Sequence, residues 1–481
     1  MFRLRQFRAY STLAPTIRDV FLNPLPINSE ITCYGHIKSI RSFKKLTFVD
    51  ISDGSSHRSL NVVMDNNSAE SASNFAVGQS VEVKGKWVES RGTQANEVRI
   101  VSDDPKHGVT ILGQVPDSYP IQKKTLTLQF LRGHPTLRHR TSTLASVMRL
   151  RSKIETELAT FFQKNSCVKV GPPLLTASDC EGGGQQFIVG QGNRPKEEFF
   201  SKAAYLTVSA QLHLEVLSQS LNRVWCLSPC FRAEDSNTNR HLCEFWMLEG
   251  ELSYVTKIEQ LTSFVEDMIR NVAQSLKTDN QENDAGLFKD LEQSRYSKED
   301  RQKLTERWDT MLSREKWPSV TYTEAINLIN LHKYNSKETL RWGDDILTEH
   351  EKWLAGDHFK SPVFVTDYPK AQKPFYMPNL STEIYDAEKP TVACFDLIFP
   401  EIGELVGGSL REHNYDLLVK EMKERGMNIE AMDWYVSTRE NGSIPHGGFG
   451  LGFERFVAYL GGIDNIKDVS AFPRAPGILA C

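Results

Sequence analysis

At 481 residues, with 40% hydrophobic and 25% charged residues, the chain has the composition of a soluble globular protein and is too long for one ordinary domain. No uninterrupted apolar run is long enough to cross a bilayer, which argues against a membrane partner, and eight scattered cysteines in so large a chain point to no disulfide framework. The net charge of −4 does not advertise a polyanionic partner, although a local basic face would suffice for one.

Residues 1–18, MFRLRQFRAYSTLAPTIR, carry Arg3, Arg5, Arg8 and Arg18 among hydroxyl residues, with no carboxylate before Asp19. This Arg-rich, acid-poor composition is that of a mitochondrial transit peptide and predicts delivery to the matrix; a basic arm that touches RNA is the plainer alternative. From 29 to 104, ITCYGHIKSI, KLTFVDISD, SLNVVMD and SVEVKGKWVES alternate or are rich in β-branched residues, between turn signals. So many short strands in so short a span predict a small closed barrel of the oligonucleotide-binding (OB) type. Residues 105–140 read as a hinge, interrupted by Pro105, Gly108, Pro116, Pro120 and Pro135 and made basic by Lys123, Lys124, Arg132, Arg138 and Arg140. A solvated linker and a contact to an RNA backbone are both compatible with it.

From 141 to 481 strands and helices mix, so the fold class expected is α+β rather than a βαβ repeat. LASVMRLRSKIETELATFFQKN has helical apolar spacing and precedes VKVGPPLLT, a strand broken by two prolines. The 277–314 stretch is highly charged and reads as solvated helices, with no chemistry assigned.

Three segments carry chemistry. In 224–252 two β-rich runs flank a polar loop that gathers Arg232, Glu234, Arg240 and His241, with Phe245 just beyond it. Guanidinium forks suit the phosphates of a nucleoside triphosphate and the ring suits a base, though a hairpin with surface ion pairs fits the loop taken alone. In 395–412 Asp396 and Glu404 flank a short turn and aim two carboxylates at one hard cation such as Mg2+, and Arg411 follows a Gly-Gly turn. In 446–460, HGGFGLGFERFVAYL, a Gly-rich turn at Gly452 opens a helix bearing Arg455, without the Lys-Ser/Thr ending of a P-loop. Cys226, Cys230, His241 and Cys243 lack the paired knuckles of a zinc site, and GGSL lacks the nucleophile elbow of a hydrolase.

In this order the segments resemble the three motifs of class II aminoacyl-tRNA synthetases: VGPPLLT with Pro173 as motif 1, FRAEDSNTNRHLCEF as motif 2 and GFGLGFERF as motif 3. An N-terminal OB barrel before the catalytic domain is the order of the aspartate, asparagine and lysine subgroup. TASDCEGGGQQF, TVSAQLHLEV, FKSPVFVTDYPK, GELVGGSLRE and IPHGGFGLGFERF are similar to asparaginyl-tRNA synthetases, and the likeness runs from Ile31 to the C-terminus.

The resemblance implies a class II catalytic domain with an antiparallel sheet flanked by helices, a homodimer joined through motif 1, and ATP-dependent ligation of L-asparagine to tRNA(Asn) through an asparaginyl-adenylate. It implies that Arg232 and Arg455 are catalytic, and that ATP is held by Arg232, Glu234, Arg240, His241, Phe245, Glu404, Gly452 and Arg455. Adenine would lie between Phe245 and Arg455, and Mg2+ on Asp396 and Glu404. Glu181, Ser209 and Gln211 would hold the α-amino end, Arg411 the side-chain carbonyl, and Arg41, Phe48 and Asn61 the anticodon. Where aspartyl enzymes place a lysine, this chain has Leu214 followed by Glu215, which would join the amino-acid site, penalise aspartate and accept a hydrogen bond from the asparagine amide. Asn61 stands where the family usually has glutamine, and Asp235 where asparagine is usual in motif 2. An aspartyl enzyme, an ammonia-dependent asparagine synthetase and a catalytically silent RNA-binding paralogue are the competing readings.

Overall fold

The computed structural model describes residues 13–66, 74–92, 94–177, 186–190, 199–278, 287–295, 297–313, 315–332, 339–380 and 388–481. The chain divides into two compact units, 1–150 with 277–301 and Cys481, and 151–276 with 302–480.

In the first unit β1 (Glu30–Ser42), β2 (Leu46–Ser52), β3 (Leu60–Asp65), β4 (Ser80–Glu89) and β5 (Asn96–Arg99) pair in the order β1-β2-β3-β5-β4 and close through β1–β4. Closure removes free strand edges. Alternation sends Cys33, Ile37, Val49, Ile51, Leu60, Val62, Val81, Val83 and Trp87 into a continuous core. A sixth strand, β6 (Gly108–Gly113), pairs with β4, so the barrel sheet runs past residue 104 into what the sequence reads as hinge. The segment read as a leader through residue 18 also contributes structure. A helix spans Ile17–Leu22, capped by a reciprocal Thr16–Asp19 box, and buries Ile17 and Val20 against the barrel core. Its first amide groups donate to Asp53 (2.8 Å) and Ser55 (3.0 Å). A chain cut after Arg18 would lose this cap and Ile17.

In the second unit β7 (Val168–Lys169) precedes a small sheet of β8 (Leu175–Thr176), β9 (Ile188–Val189) and β10 (Ala204–Leu206). The main sheet adds β11 (Arg223–Phe231), β12 (Glu244–Ser253), β13 (Ser319–Thr321), β14 (Val363–Thr366), β15 (Cys394–Phe399), β16 (Gly403–Leu410) and β17 (His446–Gly452). Its order is β13-β14-β15-β16-β17-β12-β11-β7, antiparallel except at the two outer pairs. Helices cover one face: Phe162, from Ser142–Lys164, stacks on Trp225 at 4.5 Å. The charged 277–314 stretch is less solvated than its composition suggests, since Leu304, Arg307, Trp308 and Met311 are buried and Arg307 pairs with Glu401 and Asp464.

Candidate active site

Alternation along the central strands builds the site. On β17 Phe449 and Leu451 point into the core while Gly448, Gly450 and Gly452 lie opposite Glu251, Glu249 and Met247 of β12. The glycine pattern that reads as a turn is thus a strand with one bare face, followed by the helix Phe453–Gly461. The bareness is required: a Cβ on Gly448 would lie 1.9 Å from Glu251 Oε2. Gly407 and Gly408 likewise sit inside β16 rather than in a turn, and Arg411 follows the strand's end.

Two adjoining pockets open on this floor. One, of about 150 Å³, is lined by Arg232, Glu234, Arg240, His241, Phe245, Glu404, Gly452 and Arg455, together with Met247 and Glu454. The other, of about 180 Å³, is lined by Ser209, Gln211, Leu214, Glu249, Glu251, Tyr376, Asp396 and Arg411. Arg232, Met247, Glu404 and Gly450 border both, so the guanidinium of Arg232 stands at their junction.

In the first pocket the Arg232 guanidinium lies 5.5 Å from the Phe245 ring centroid. Arg455 donates to the Glu404 carbonyl at 2.8 Å, and Arg240 to the Thr348 hydroxyl at 2.5 Å. His241 Nδ1 lies 2.7 Å from the Thr238 hydroxyl, and burial with the nearby Arg455 charge lowers its pKa. Glu351, which no sequence motif marks, reaches the backbone N–H of Glu404 (3.2 Å) and approaches Arg240 (4.0 Å). Burial and the Glu404 carboxylate push its pKa up to about 7. Glu454 anchors the rim, accepting from Arg151 (2.9 Å) and from the Trp246 N–H (2.9 Å).

In the second pocket the Ser209 hydroxyl donates to Glu249, which also accepts from the N–H of Ala210 at the start of the helix Gln211–Leu221. Gln211 donates its amide N–H to Glu215 (3.0 Å), which turns its carbonyl oxygen away from that carboxylate. Arg411 donates to both oxygens of Glu251 and to the Ser409 hydroxyl.

Glu215, expected at the ligand, is fully buried behind the pocket wall. Its Oε2 accepts from Arg439 (2.5 Å), Tyr435 (2.8 Å) and His446 (3.2 Å). Burial opposes ionisation, but Arg439, the His446 hydrogen bond and Arg411 outweigh it and hold the carboxyl well below the usual range. Leu214 does line the pocket. Glu181 lies outside the described residues.

The candidate residues for a divalent cation, Asp396 and Glu404, lie on the neighbouring strands β15 and β16. A Cβ on Gly407 would lie 3.4 Å from both Asp396 Oδ1 and Glu404 Oε1, so one oxygen of each faces the same point. The other Asp396 oxygen is taken by Lys373 at 2.7 Å. Two carboxylate oxygens and an open side match what Mg2+ takes from protein when phosphates complete its shell.

On the barrel, Arg41 of β1 pairs across to Phe48 of β2, its guanidinium 5.9 Å from the ring, and Asn61 of β3 pairs with Asp50. Asp50, which the sequence does not single out, accepts from Ser39 and Arg41 in the same patch. Pro173 is exposed, between the exposed Val168 and Leu175. No described helix is long and apolar enough to cross a membrane.

Comparison with known proteins matches residues 129–476 to the class II tRNA synthetases (D, K and N) and residues 31–104 to the OB-fold nucleic acid binding domain. The chain is 44% identical to the mitochondrial asparagine–tRNA ligase of Saccharomyces cerevisiae, over 98% of this chain and 97% of that protein. It is 37% identical to a probable mitochondrial asparagine–tRNA ligase of Dictyostelium discoideum, over 93% of each. Among solved structures, asparaginyl-tRNA synthetase from Pyrococcus horikoshii complexed with asparaginyl-adenylate aligns with a TM-score of 0.83 at 28% identity, covering 98% of this chain and 100% of that one.

Proposed function

The chain belongs to the class II tRNA synthetases of the D, K and N group, and from that premise we propose that it ligates L-asparagine to tRNA(Asn) using ATP, for mitochondrial translation. The observation that carries the reading is the place of Arg232, on the border between a pocket ringed by cationic groups and a ring and a pocket built for a small amino acid.

ATP lies in the first pocket, its phosphates toward Arg232, Arg240, His241 and Arg455 and its adenine near Phe245 and Glu234. Asparagine lies in the second, its α-ammonium toward Ser209 and the Gln211 carbonyl oxygen and its side-chain carbonyl toward Arg411. Arg232 then meets the α-phosphate and the asparagine carboxylate together and stabilises the charge that builds as the carboxylate attacks phosphorus. The chain's contribution is positioning and electrostatic stabilisation, with no protein nucleophile. Asp396 and Glu404 would hold Mg2+, which neutralises phosphate charge when bound. Pyrophosphate leaves, and the terminal hydroxyl of the tRNA takes the asparaginyl group from AMP.

Selection of asparagine over aspartate rests on electrostatics. Leu214 supplies no cation, and Arg411 is already held by Glu251 with Glu215 3.8 Å away, so an aspartate side-chain carboxylate would meet an arginine whose charge is largely matched. Penalties of several kcal/mol are typical where desolvated charges are left unpaired. Arg41, Phe48 and Asn61 read the anticodon from the barrel, Pro173 belongs to a homodimer contact, and the residues before Thr16 direct the chain to the mitochondrial matrix.

The test is ATP–pyrophosphate exchange by protein lacking residues 1–15, with asparagine and aspartate compared. Exchange that requires asparagine supports the assignment. Exchange with aspartate overturns the specificity account, and exchange with neither overturns the enzyme.

A further inference from the structure

The cavity between the barrel and the 119–142 segment belongs to neither of the pockets above. It encloses about 400 Å³, within the common range for small-ligand clefts of about 300–1,000 Å³. Its walls come from β1 and β2 (His36, Lys38, Ser39, Asp50), from Tyr119 to Leu126, and from Arg140 to Ser142.

Its charge is one-sided. Lys38, Lys123, Lys124 and Arg140 line it against a single carboxylate, Asp50, and Asp50 is already engaged by Ser39 and Arg41. Among the described residues neither Lys38 nor Arg140 has a carboxylate partner. Lys38 is half-buried and spends its ammonium on the Arg140 backbone carbonyl, while the Arg140 side chain rests on Tyr119, 5.9 Å from the ring centroid and 3.4 Å from its hydroxyl. Burial and then the Arg140 charge lower the Lys38 pKa, and burial, Arg140 and Lys38 lower that of His36. Cations gathered in a recess without counter-charges are unfavourable until an anion enters.

The Arg41–Phe48 patch lies beside the cavity on the same two strands. Ser39 pairs with Asp50 on its wall, and Arg41 pairs with Phe48 two residues further along the same two strands, a step of about 7 Å. An RNA chain laid on that patch and running along these strands would pass the residues that line the cavity.

We propose that this cavity is a phosphodiester site, in which Lys38, Arg140, Lys123 and Lys124 seat one backbone phosphate of the tRNA next to the bases read on the barrel. The proposal rests on the tRNA ligase reading, and it gives the basic segment around Lys123 a positioning task. A phosphate seated there contributes affinity and register but carries no base information.

The test uses the full chain without residues 1–15 and a Lys123→Glu/Lys124→Glu variant, both positions being exposed. Asparagine-dependent ATP–pyrophosphate exchange without tRNA should be unchanged, which shows that the variant folds and keeps its chemistry. Binding of tRNA(Asn) transcript should weaken about tenfold at low salt, with the slope of log K against log salt shallower by roughly 0.7–0.9 for each phosphate no longer neutralised. Phosphate-ethylation interference on wild type should mark one position beside the anticodon that the variant no longer senses. An unchanged interference pattern, or affinity within twofold of wild type, overturns the proposal. Competition of tRNA binding by AMP at the same cavity would overturn it in favour of a free-nucleotide site. Absence of exchange in the wild-type protein would instead strike the enzymatic reading on which it rests.

Discussion

Arg411 donates to both oxygens of Glu251, at 3.2 and 3.1 Å, and lies 3.8 Å from Glu215, so the cation proposed to meet the substrate side chain already faces two carboxylates. An arginine so held reads a neutral carbonyl by hydrogen-bond geometry while giving little net attraction to a carboxylate. Arg411 is 5% exposed and Glu251 1% exposed, so water screens the arrangement weakly.

Replacing Glu251 with Gln unbalances that charge. Asparagine use falls because Arg411 loses its bidentate anchor, and the penalty on aspartate shrinks. The ratio of kcat/KM for asparagine over aspartate should fall by about 10- to 100-fold, corresponding to roughly 1.4–2.8 kcal/mol. Steady-state exchange kinetics with both amino acids measure it, and an unaltered ratio would remove Glu251 from the specificity account.

Arg439 is the nearest cation to Glu215, and both side chains are fully buried. Arg439→Met leaves a buried carboxylate without its main partner, a loss typically of about 3–5 kcal/mol. Urea unfolding should show a lower midpoint with little change in slope. A midpoint matching wild type would mean that Tyr435 and His446 hold the carboxylate by themselves.

Glu351 predicts a pH signature in metal-free protein. Its folded pKa, near 7, lies above the ordinary carboxyl value of 4.5, so the native state holds the proton more tightly. The stability this group contributes is therefore complete below about pH 4.5 and is lost as pH rises through 7. Glu351→Gln should match wild type near pH 5 and exceed it at pH 8 by up to about 3 kcal/mol, at ~1.4 kcal/mol per pH unit. Denaturant titrations at the two pH values in EDTA decide this; parallel behaviour would assign the group an ordinary pKa.

Two truncations test the N-terminal boundary. Removing residues 1–15 should leave barrel stability unchanged. Removing 1–18 deletes the Thr16 cap and Ile17, which is 1% exposed, and should cost about 3 kcal/mol, from ~1 for the cap and ~2 for the side chain. Thermal melts of the two proteins compare them directly, and equal melting temperatures would show the helix to be dispensable.

Much of this protein is written locally. Alternation from β1 to β4 specifies the barrel because the strand period of two puts one residue in two into a core. The loop between β11 and β12 was legible because Arg232, Glu234, Arg240, His241 and Phe245 are close in sequence and flanked by strand-forming runs. What the sequence alone could not supply are relationships between distant positions. Glu351 meets Arg240, Lys373 meets Asp396 and Arg439 meets Glu215 across 111, 23 and 224 positions, and none has a motif of its own. The same limit explains the misread glycines. Gly448, Gly450 and Gly452 read as a turn because glycine permits one, whereas β12 and β16 on either side decide that they form a strand with a bare face. The helix at Ile17 was hidden for the same reason: its composition suits a leader, and only the barrel core it covers gives its apolar residues a place to be buried. Sequence settles local periodicity and short-range chemistry, because backbone propensity and side-chain spacing act within a few residues. Which buried charges face one another is settled by tertiary structure, because low-dielectric pairing depends on distance in space.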